Sequence, residues 1–327
     1  MSVHQSDAVT VTGLRKSFGA EVVLDGIDLA VPAGSVFALL GPNGAGKTTT
    51  VHILTTLLPA DSGTVRIAGH DLVDDPDAAR RAIGVTGQFS AVDNLLTGEE
   101  NLVLMADLLH LDRAEGRRRA AELLERFDLV DAANRAPATY SGGMRRKLDL
   151  AMTLIGDPQV IFLDEPTAGL DPRTRRMMWD AIRGLAANGV TIFLTTQYLE
   201  EADELADRIA LLDQGRIVAE GTAAELKRMI PGGHISVRFG DPGALDAAAG
   251  VFTRAQRDDE TLTLQIPADG GVGSLRAVLD GLDAVRVRPD ELTVHSPDLD
   301  DVFLSLTGRP RPAAAGQADT SAKEAVR

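Results

Sequence analysis

Cysteine is absent from all 327 residues. That one gap excludes disulfides, thiolate nucleophiles, Cys-ligated zinc and iron–sulfur clusters together. Long apolar runs are missing too. A membrane helix needs roughly 20 consecutive apolar residues, and the best candidates here are broken by charge, as at Asp107. The first residues, Met1-Ser-Val-His-Gln-Ser-Asp7, have neither a basic region nor an apolar core, so no signal peptide is expected. Basic residues are the minority: 33 Lys and Arg face 48 Asp and Glu, for a net charge of −15. A field of that sign repels nucleic acid and anionic lipid. His52, His70, His110, His234 and His295 show no metal-ligand spacing, and His4 lies in an unpatterned terminus. These absences predict a soluble, cytosolic chain that does not bind nucleic acid and meets a membrane only through a partner.

What is present is an ordinary globular composition, 44% hydrophobic, over a length that fits two domains at roughly 150 residues each. From Val9 to about Leu226, short apolar runs alternate with helical patterns, the signature of an α/β fold. Val36-Phe-Ala-Leu-Leu40, Val160-Ile-Phe-Leu163, Val190-Thr-Ile-Phe-Leu194 and Ile209-Ala-Leu-Leu212 read as strands covered on both faces. A helix-rich stretch, about 97–156, interrupts them. One of its helices opens with the capping box Thr97-Gly-Glu-Glu100 and runs into an expected apolar face of Leu102, Leu104, Met105, Leu108 and Leu109. Another helix starts after Asp171-Pro172 and ends at Asn188-Gly189. Beyond 226 the texture changes. His234–Phe239, Thr261–Ile266 and Val285–Val287 alternate like half-exposed strands, with helical stretches near 242–249 and 273–282. Residues 227–308 are therefore expected to form a small α+β accessory domain of the ferredoxin-like kind, closed by a short helix from Leu299. Residues 309–327, rich in Ala and Pro, read as a disordered tail.

Gly41-Pro-Asn-Gly-Ala-Gly-Lys-Thr48 matches the phosphate-binding loop, and it follows a strand and precedes a helical pattern as that motif requires. Its glycines let backbone N–H groups turn in around a phosphate at a helix N-terminus. Lys47 would reach the β- and γ-phosphates, and the Thr48 hydroxyl would coordinate Mg²⁺. A glycine-rich turn before a helix is the competing reading. Val160-Ile-Phe-Leu-Asp-Glu165 then places two carboxylates at a strand's C-terminal end, where open α/β sheets bind ligands. Asp164 would hold the metal shell and Glu165 would polarise the attacking water. Read alone, such a pair is as easily a solvated turn. Upstream, Tyr140-Ser-Gly-Gly-Met-Arg-Arg-Lys147 opens a second helix N-terminus suited to an anion but carries no phosphate loop of its own.

With Ser141, Gly142 and Gly143 in that place, the sequence resembles the ATP-binding cassette (ABC) family. The match covers about 4–226, so 1–226 is expected to be the nucleotide-binding domain. The resemblance implies ATP as substrate, Mg²⁺ as cofactor and a head-to-tail dimer in which the Ser-Gly-Gly motif completes the partner's ATP site. It implies a separate transmembrane permease and a place at the cytoplasmic face of the membrane. Gln88 falls where the family places its Mg²⁺-sensing glutamine, Asp171 in the loop that crosses the dimer interface, and Phe18 where an aromatic stacks on adenine. The nucleotide contacts so implied are Phe18, Gly41, Pro42, Asn43, Gly44, Ala45, Gly46, Lys47, Thr48, Thr49, Ser141, Gly142, Gly143 and Asp171. One departure stands out: Gln197 occupies the position of the usual γ-phosphate histidine. Gln donates a hydrogen bond but carries no proton near neutral pH. Together with Leu299-Asp-Asp-Val-Phe-Leu-Ser-Leu-Thr-Gly308, this form resembles the daunorubicin-resistance type of bacterial drug-export ATPase. Two alternatives share the cassette: a lipid or polysaccharide exporter or an importer, and a soluble ABC ATPase of DNA repair or translation. Against the second stand a single cassette, no heptads and the acidic balance. The other features read as bland: Arg145-Arg-Lys147 could pair with acidic neighbours or, the preferred reading, form a solvated helix face, and the acidic run Glu200–Glu204 is expected to be a solvated face.

Overall fold

The computed structural model describes residues 7–87, 91–230, 233–268, 271–295 and 297–308. Gln88 and the expected tail at 309–327 therefore lie outside the described residues. The chain forms two compact units that divide between Ala223 and Ala224.

The first unit is built on two sheets. One is antiparallel, with β1 (Asp7–Phe18) between β2 (Glu21–Pro32) and β4 (Ser62–Ile67), and β5 (His70–Asp71) at its edge. The other has the order β10-β9-β3-β8-β7-β6, from β3 (Val36–Leu40), β6 (Ile83–Thr86), β7 (Val160–Asp164), β8 (Thr191–Thr196), β9 (Arg208–Asp213) and β10 (Arg216–Gly221). All neighbours in it are parallel except the β9–β10 pair. Every residue of β3, β7 and β8 is buried, which explains why those runs are apolar throughout rather than alternating. Phe37, Phe162 and Phe193 stand on these three strands, with ring centroids 5.6 and 5.4 Å apart. The same core takes Val51, Ile53 and Leu54 from α1 (Lys47–Leu54).

The helices of this unit are α1, α2 (Pro76–Ala82), α3 (Gly98–Leu108), α4 (Arg113–Arg126), α5 (Gly142–Leu154), α6 (Pro172–Ala187) and α7 (Leu199–Leu205). The capping box at Thr97 and Glu100 forms as the sequence predicts. The expected apolar face of α3 does not. Leu102 is buried, but Leu108 is 62% exposed, and Leu104 and Leu109 are exposed too. The helix turns Asn101 inward instead, where its side chain donates to the Asp93 and Thr97 carbonyls and accepts from the Asp93 N–H. Those bonds to the preceding loop outweigh the alignment of leucines.

The second unit holds α8 (Ala223–Arg228), which begins at the division, β11 (His234–Arg238), α9 (Pro242–Val251), β12 (Gln256–Asp258), β13 (Thr263–Pro267), α10 (Val272–Ala284), β14 (Glu291–His295) and α11 (Leu299–Thr307). Its antiparallel sheet runs β12-β13-β11-β14, a split β-α-β arrangement with Ile235, Val237, Leu264 and Ile266 facing α9 and α10. Val285–Val287 is a turn rather than a strand. Helix α10 runs on to Ala284, and Arg286 takes a left-handed conformation (φ 57°) that ends it. The last strand forms five residues later, at Glu291.

Candidate functional site

Strand β3 delivers the chain into the glycine-rich loop, and two glycines there are required by space. A Cβ on Gly41 would lie 2.3 Å from the Leu212 carbonyl oxygen. Gly46 has φ +109°, and a Cβ there would lie 2.6 Å from Leu24 Cδ2. Lys47, Thr48 and Thr49 then open α1, and the first N–H groups of a helix have no acceptor within it. Lys47 is only 5% exposed. Its Nζ donates to the carbonyls of Gly41 at 2.8 Å and Pro42 at 3.1 Å, and lies 3.6 Å from Glu165 Oε1. Burial pushes the Lys47 amine below its ordinary value, and the charges of Glu165 and Asp164 oppose that shift. Asn43, Gly44, Gly46, Lys47, Thr48 and Glu165 line one depression of about 360 Å³.

The parallel register sets the carboxylates opposite this loop. Leu40 pairs with Thr196, and Asp164 with Thr195, so the C-terminal ends of β3, β8 and β7 form one row. Asp164 is buried, and its Oδ1 accepts from the Thr195 hydroxyl. Glu165 bends away in a left-handed conformation, φ 48°, which costs a non-glycine residue about 1–2 kcal/mol. Bonds on either side hold it there. Its N–H donates to the Thr195 carbonyl at 3.1 Å and to the Thr195 hydroxyl at 3.2 Å, and its own carbonyl accepts from Ala168 N–H. Gln197 follows β8 directly and is half-buried. The carbonyl before it, of Thr196, accepts from the Gly41 N–H at 3.2 Å, which sets Gln197 beside the phosphate loop.

The remaining expected residues lie apart from that depression. Ser141 caps α5, its Oγ accepting from Met144 N–H. Ser141 and Gly142 are exposed, whereas Gly143 is buried so close to Thr174 that a Cβ would stand 3.1 Å from its methyl. Asp171 caps α6, accepting at Oδ1 from the N–H groups of Arg173 and Thr174 and at Oδ2 from the Thr174 hydroxyl. These bonds, the Thr174 hydroxyl foremost, hold its carboxyl below the ordinary range. The Ser-Gly-Gly turn and the Asp171 cap thus adjoin through Thr174, and neither lines the phosphate-loop depression. Phe18 is 51% exposed at the end of β1, with Lys16 Nζ 5.5 Å from its ring centroid.

The family model described as ABC transporter matches residues 24–168. Over 306 residues the chain is 48% identical to the daunorubicin resistance ATP-binding protein DrrA3 of Streptomyces coeruleorubidus, spanning 93% of this chain and 97% of the relative. It is 46% identical to the doxorubicin resistance ATP-binding protein DrrA of Mycobacterium tuberculosis, over 93% of this chain and 94% of that one. The chain belongs to the ABC transporter ATP-binding subunits. Among solved structures, an ATP-binding subunit of an ABC transporter superposes with a TM-score of 0.61 at 32% identity, covering 68% of this chain and 92% of that one. As an ABC ATPase it couples ATP hydrolysis to transport, and the α/β class expected from the sequence is that of its structural neighbours. No helix among the described residues is long and apolar enough to cross a membrane.

Within this cassette two side chains expected on solvated faces are internal. Arg146 turns inward from α5, where its guanidinium donates to the carbonyls of Pro166 and Gly87 and pairs with buried Asp149 at 3.0 Å. It ties the Ser-Gly-Gly helix to the turn after Glu165. The Arg146–Asp149 spacing of three residues was the available signal. Glu201, in the acidic run on α7, is 0% exposed. Leu199, Ala202 and Leu205 mark the inner face of α7 in the sequence, but nothing local announces that Glu201 joins them. Nothing local announces Thr195 either, whose hydroxyl holds the Asp164 carboxylate and the Glu165 backbone N–H.

Proposed function

We propose that the chain is the ATP-driven motor subunit of a bacterial drug exporter. Two copies, or two cassettes, close head to tail around ATP, and a separate transmembrane permease carries the cargo and holds the motor at the cytoplasmic face. Residues 1–226 are read as the motor domain and 227–308 as its accessory domain. The observation that carries the reading is the meeting of Lys47 and Glu165, 3.6 Å apart, in one depression with the phosphate loop. A cation for phosphate and a carboxylate for water must line the same depression if both serve one γ-phosphate.

The chain's own groups divide the work. Backbone N–H groups of 43–49 and the Lys47 ammonium bind the β- and γ-phosphates. Glu165 accepts the proton of the attacking water, and its backbone bonds to Thr195 fix where that carboxylate can reach. The Gln197 amide donates to the γ-phosphate, and Phe18 offers an exposed ring for adenine. Ser141, Gly142 and Gly143 face the partner's nucleotide, with Asp171 at the same interface. Thr48 and Asp164 supply the hard oxygens that Mg²⁺ prefers, and Gln88 would be its sensor. No group of three or more His, Cys, Asp or Glu gathers among the described residues, so Mg²⁺ would be held by these two together with nucleotide phosphates. When bound, it neutralises charge developing on the transferred phosphate.

Drug export is favoured over the other cargoes by the relatives. Those named for daunorubicin or doxorubicin resistance are 45–48% identical, against 38% for the Nod factor export ATP-binding protein of Ralstonia nicotianae. Glu165→Gln, co-expressed with the permease, is expected to bind ATP normally, to turn over almost none of it, and to leave cells accumulating anthracycline as controls do. Wild-type ATPase rate in this variant would overturn the site, and drug accumulation unaffected by the wild-type pair would overturn the cargo.

A further inference from the structure

Three threonines at the catalytic end of the sheet, Thr167, Thr195 and Thr196, are fully buried, and so is Glu201. The Glu201 carboxylate gathers what surrounds it. Its Oε1 accepts from the Thr167 hydroxyl at 2.7 Å and from Trp179 Nε1 at 3.1 Å. The Thr196 hydroxyl oxygen, next to Gln197, accepts from Tyr198 N–H at 2.9 Å. Each donor belongs to a different part of the site. Thr167 lies two residues beyond Glu165, Trp179 stands on α6, the helix that Asp171 caps, and Glu201 itself stands on α7, four residues past Gln197.

Packing alone does not account for a carboxylate here. A buried charge is weak evidence for stability, because an apolar side chain of like volume fills the same space without desolvation. Glu201 Oε2 has no hydrogen-bond partner, so the charge is not fully compensated even with Arg175 nearby. What an apolar residue could not do is hold the Thr167 hydroxyl and the Trp179 indole to one point.

We propose that Glu201 is a positioning residue of the ATPase: through Thr167 and Trp179 its carboxylate fixes the loop bearing Glu165 to α6 and to α7, the helix that begins two residues after Gln197. The inference rests on the roles proposed for those two residues. The attacking water and the γ-phosphate contact then keep a set separation, and the arrangement is shared with α6. A small displacement of a catalytic group from its productive place costs rate steeply, while phosphate binding through Lys47 and the loop amides does not depend on this link.

Thr167→Val removes the hydroxyl at nearly constant volume, and Thr167→Ser keeps it. The Val variant is expected to lose roughly ten- to a hundred-fold in kcat, with ATP affinity and KM within about twofold of wild type. The Ser variant should retain kcat within about twofold. Glu201→Leu, which removes the acceptor at similar volume, should follow Val in the same kcat-only direction. Glu201→Gln, whose amide oxygen still accepts from Thr167 and Trp179, should follow Ser. Wild-type turnover of Thr167→Val would overturn the proposal. So would an equal loss in Thr167→Ser, which would assign the effect to the methyl group, or a loss of ATP affinity alongside kcat, which would assign it to general unfolding. Glu165→Gln measured in parallel separates the two levels. If it turns over normally, the catalytic reading has failed. If it is inactive while Thr167→Val is wild type, only the positioning role has.

Discussion

Gln197 directly follows the strand that lies between the phosphate-loop strand and the carboxylate strand, one residue past the carbonyl that holds Gly41. In the proposed mechanism its amide makes a neutral contact to the γ-phosphate from that place. A lost hydrogen bond to a charged group costs roughly 1.5–3 kcal/mol, and about 1.36 kcal/mol corresponds to a tenfold change in rate. Gln197→Ala is therefore expected to slow turnover roughly ten- to a hundred-fold, measured at saturating ATP with the permease present. Gln197→His should stay active and acquire a pH dependence near the imidazole pKa of about 6.5 that the native amide lacks. An Ala variant within about twofold of wild type would leave Gln197 as a strand-end residue only. At this scale the sequence was informative wherever chemistry is local. The loop 41–48 and the pair Asp164–Glu165 each occupy a few consecutive residues, and the sheet merely brings them to face each other. Glu201, and Arg146 in its preferred reading, look solvated in the sequence because their neighbours in the chain are charged. Their burial is decided by α5 and α7 packing on elements 20 or more residues away, Pro166 for Arg146 and Thr167 for Glu201.

The elements explain why the expected helix starts formed. Thr97, Ser141 and Asp171 each accept an N–H from the first turn of the helix they precede, a bond between residues two or three apart that needs no tertiary contact. Leu104, Leu108 and Leu109 show the opposite case. Periodicity marks an apolar stripe, but which stripe is buried depends on what the other helices offer, and Asn101 took that place. Asp171 makes a stability test possible at this scale. Replacing it by Ala should destabilise the fold by about 1 kcal/mol, whereas Asp171→Ser, another good cap, should restore most of the loss. Urea midpoints of the three proteins check this. Identical midpoints would show that the cap bonds at Arg173 and Thr174 contribute nothing to α6.

For the whole molecule, the central claim is that an ATP site is complete only when two cassettes meet. Ser141 and Gly142 are exposed beside Asp171, on a surface that does not line their own chain's phosphate-loop depression. A site divided this way makes complementation possible. Ser141→Arg blocks one half of each composite site, and Lys47→Ala removes the phosphate cation from the other half. In a dimer of one variant with the other, both lesions fall in the same site and the second site is wild type. The decisive measurement is the ATPase rate of the two variants mixed in equal amounts. If each alone is nearly inactive, the account predicts that the mixture recovers up to about a quarter of wild-type activity, since half the dimers are mixed and each has one intact site of two. A mixture no more active than its components, or full activity of either variant alone, would contradict it.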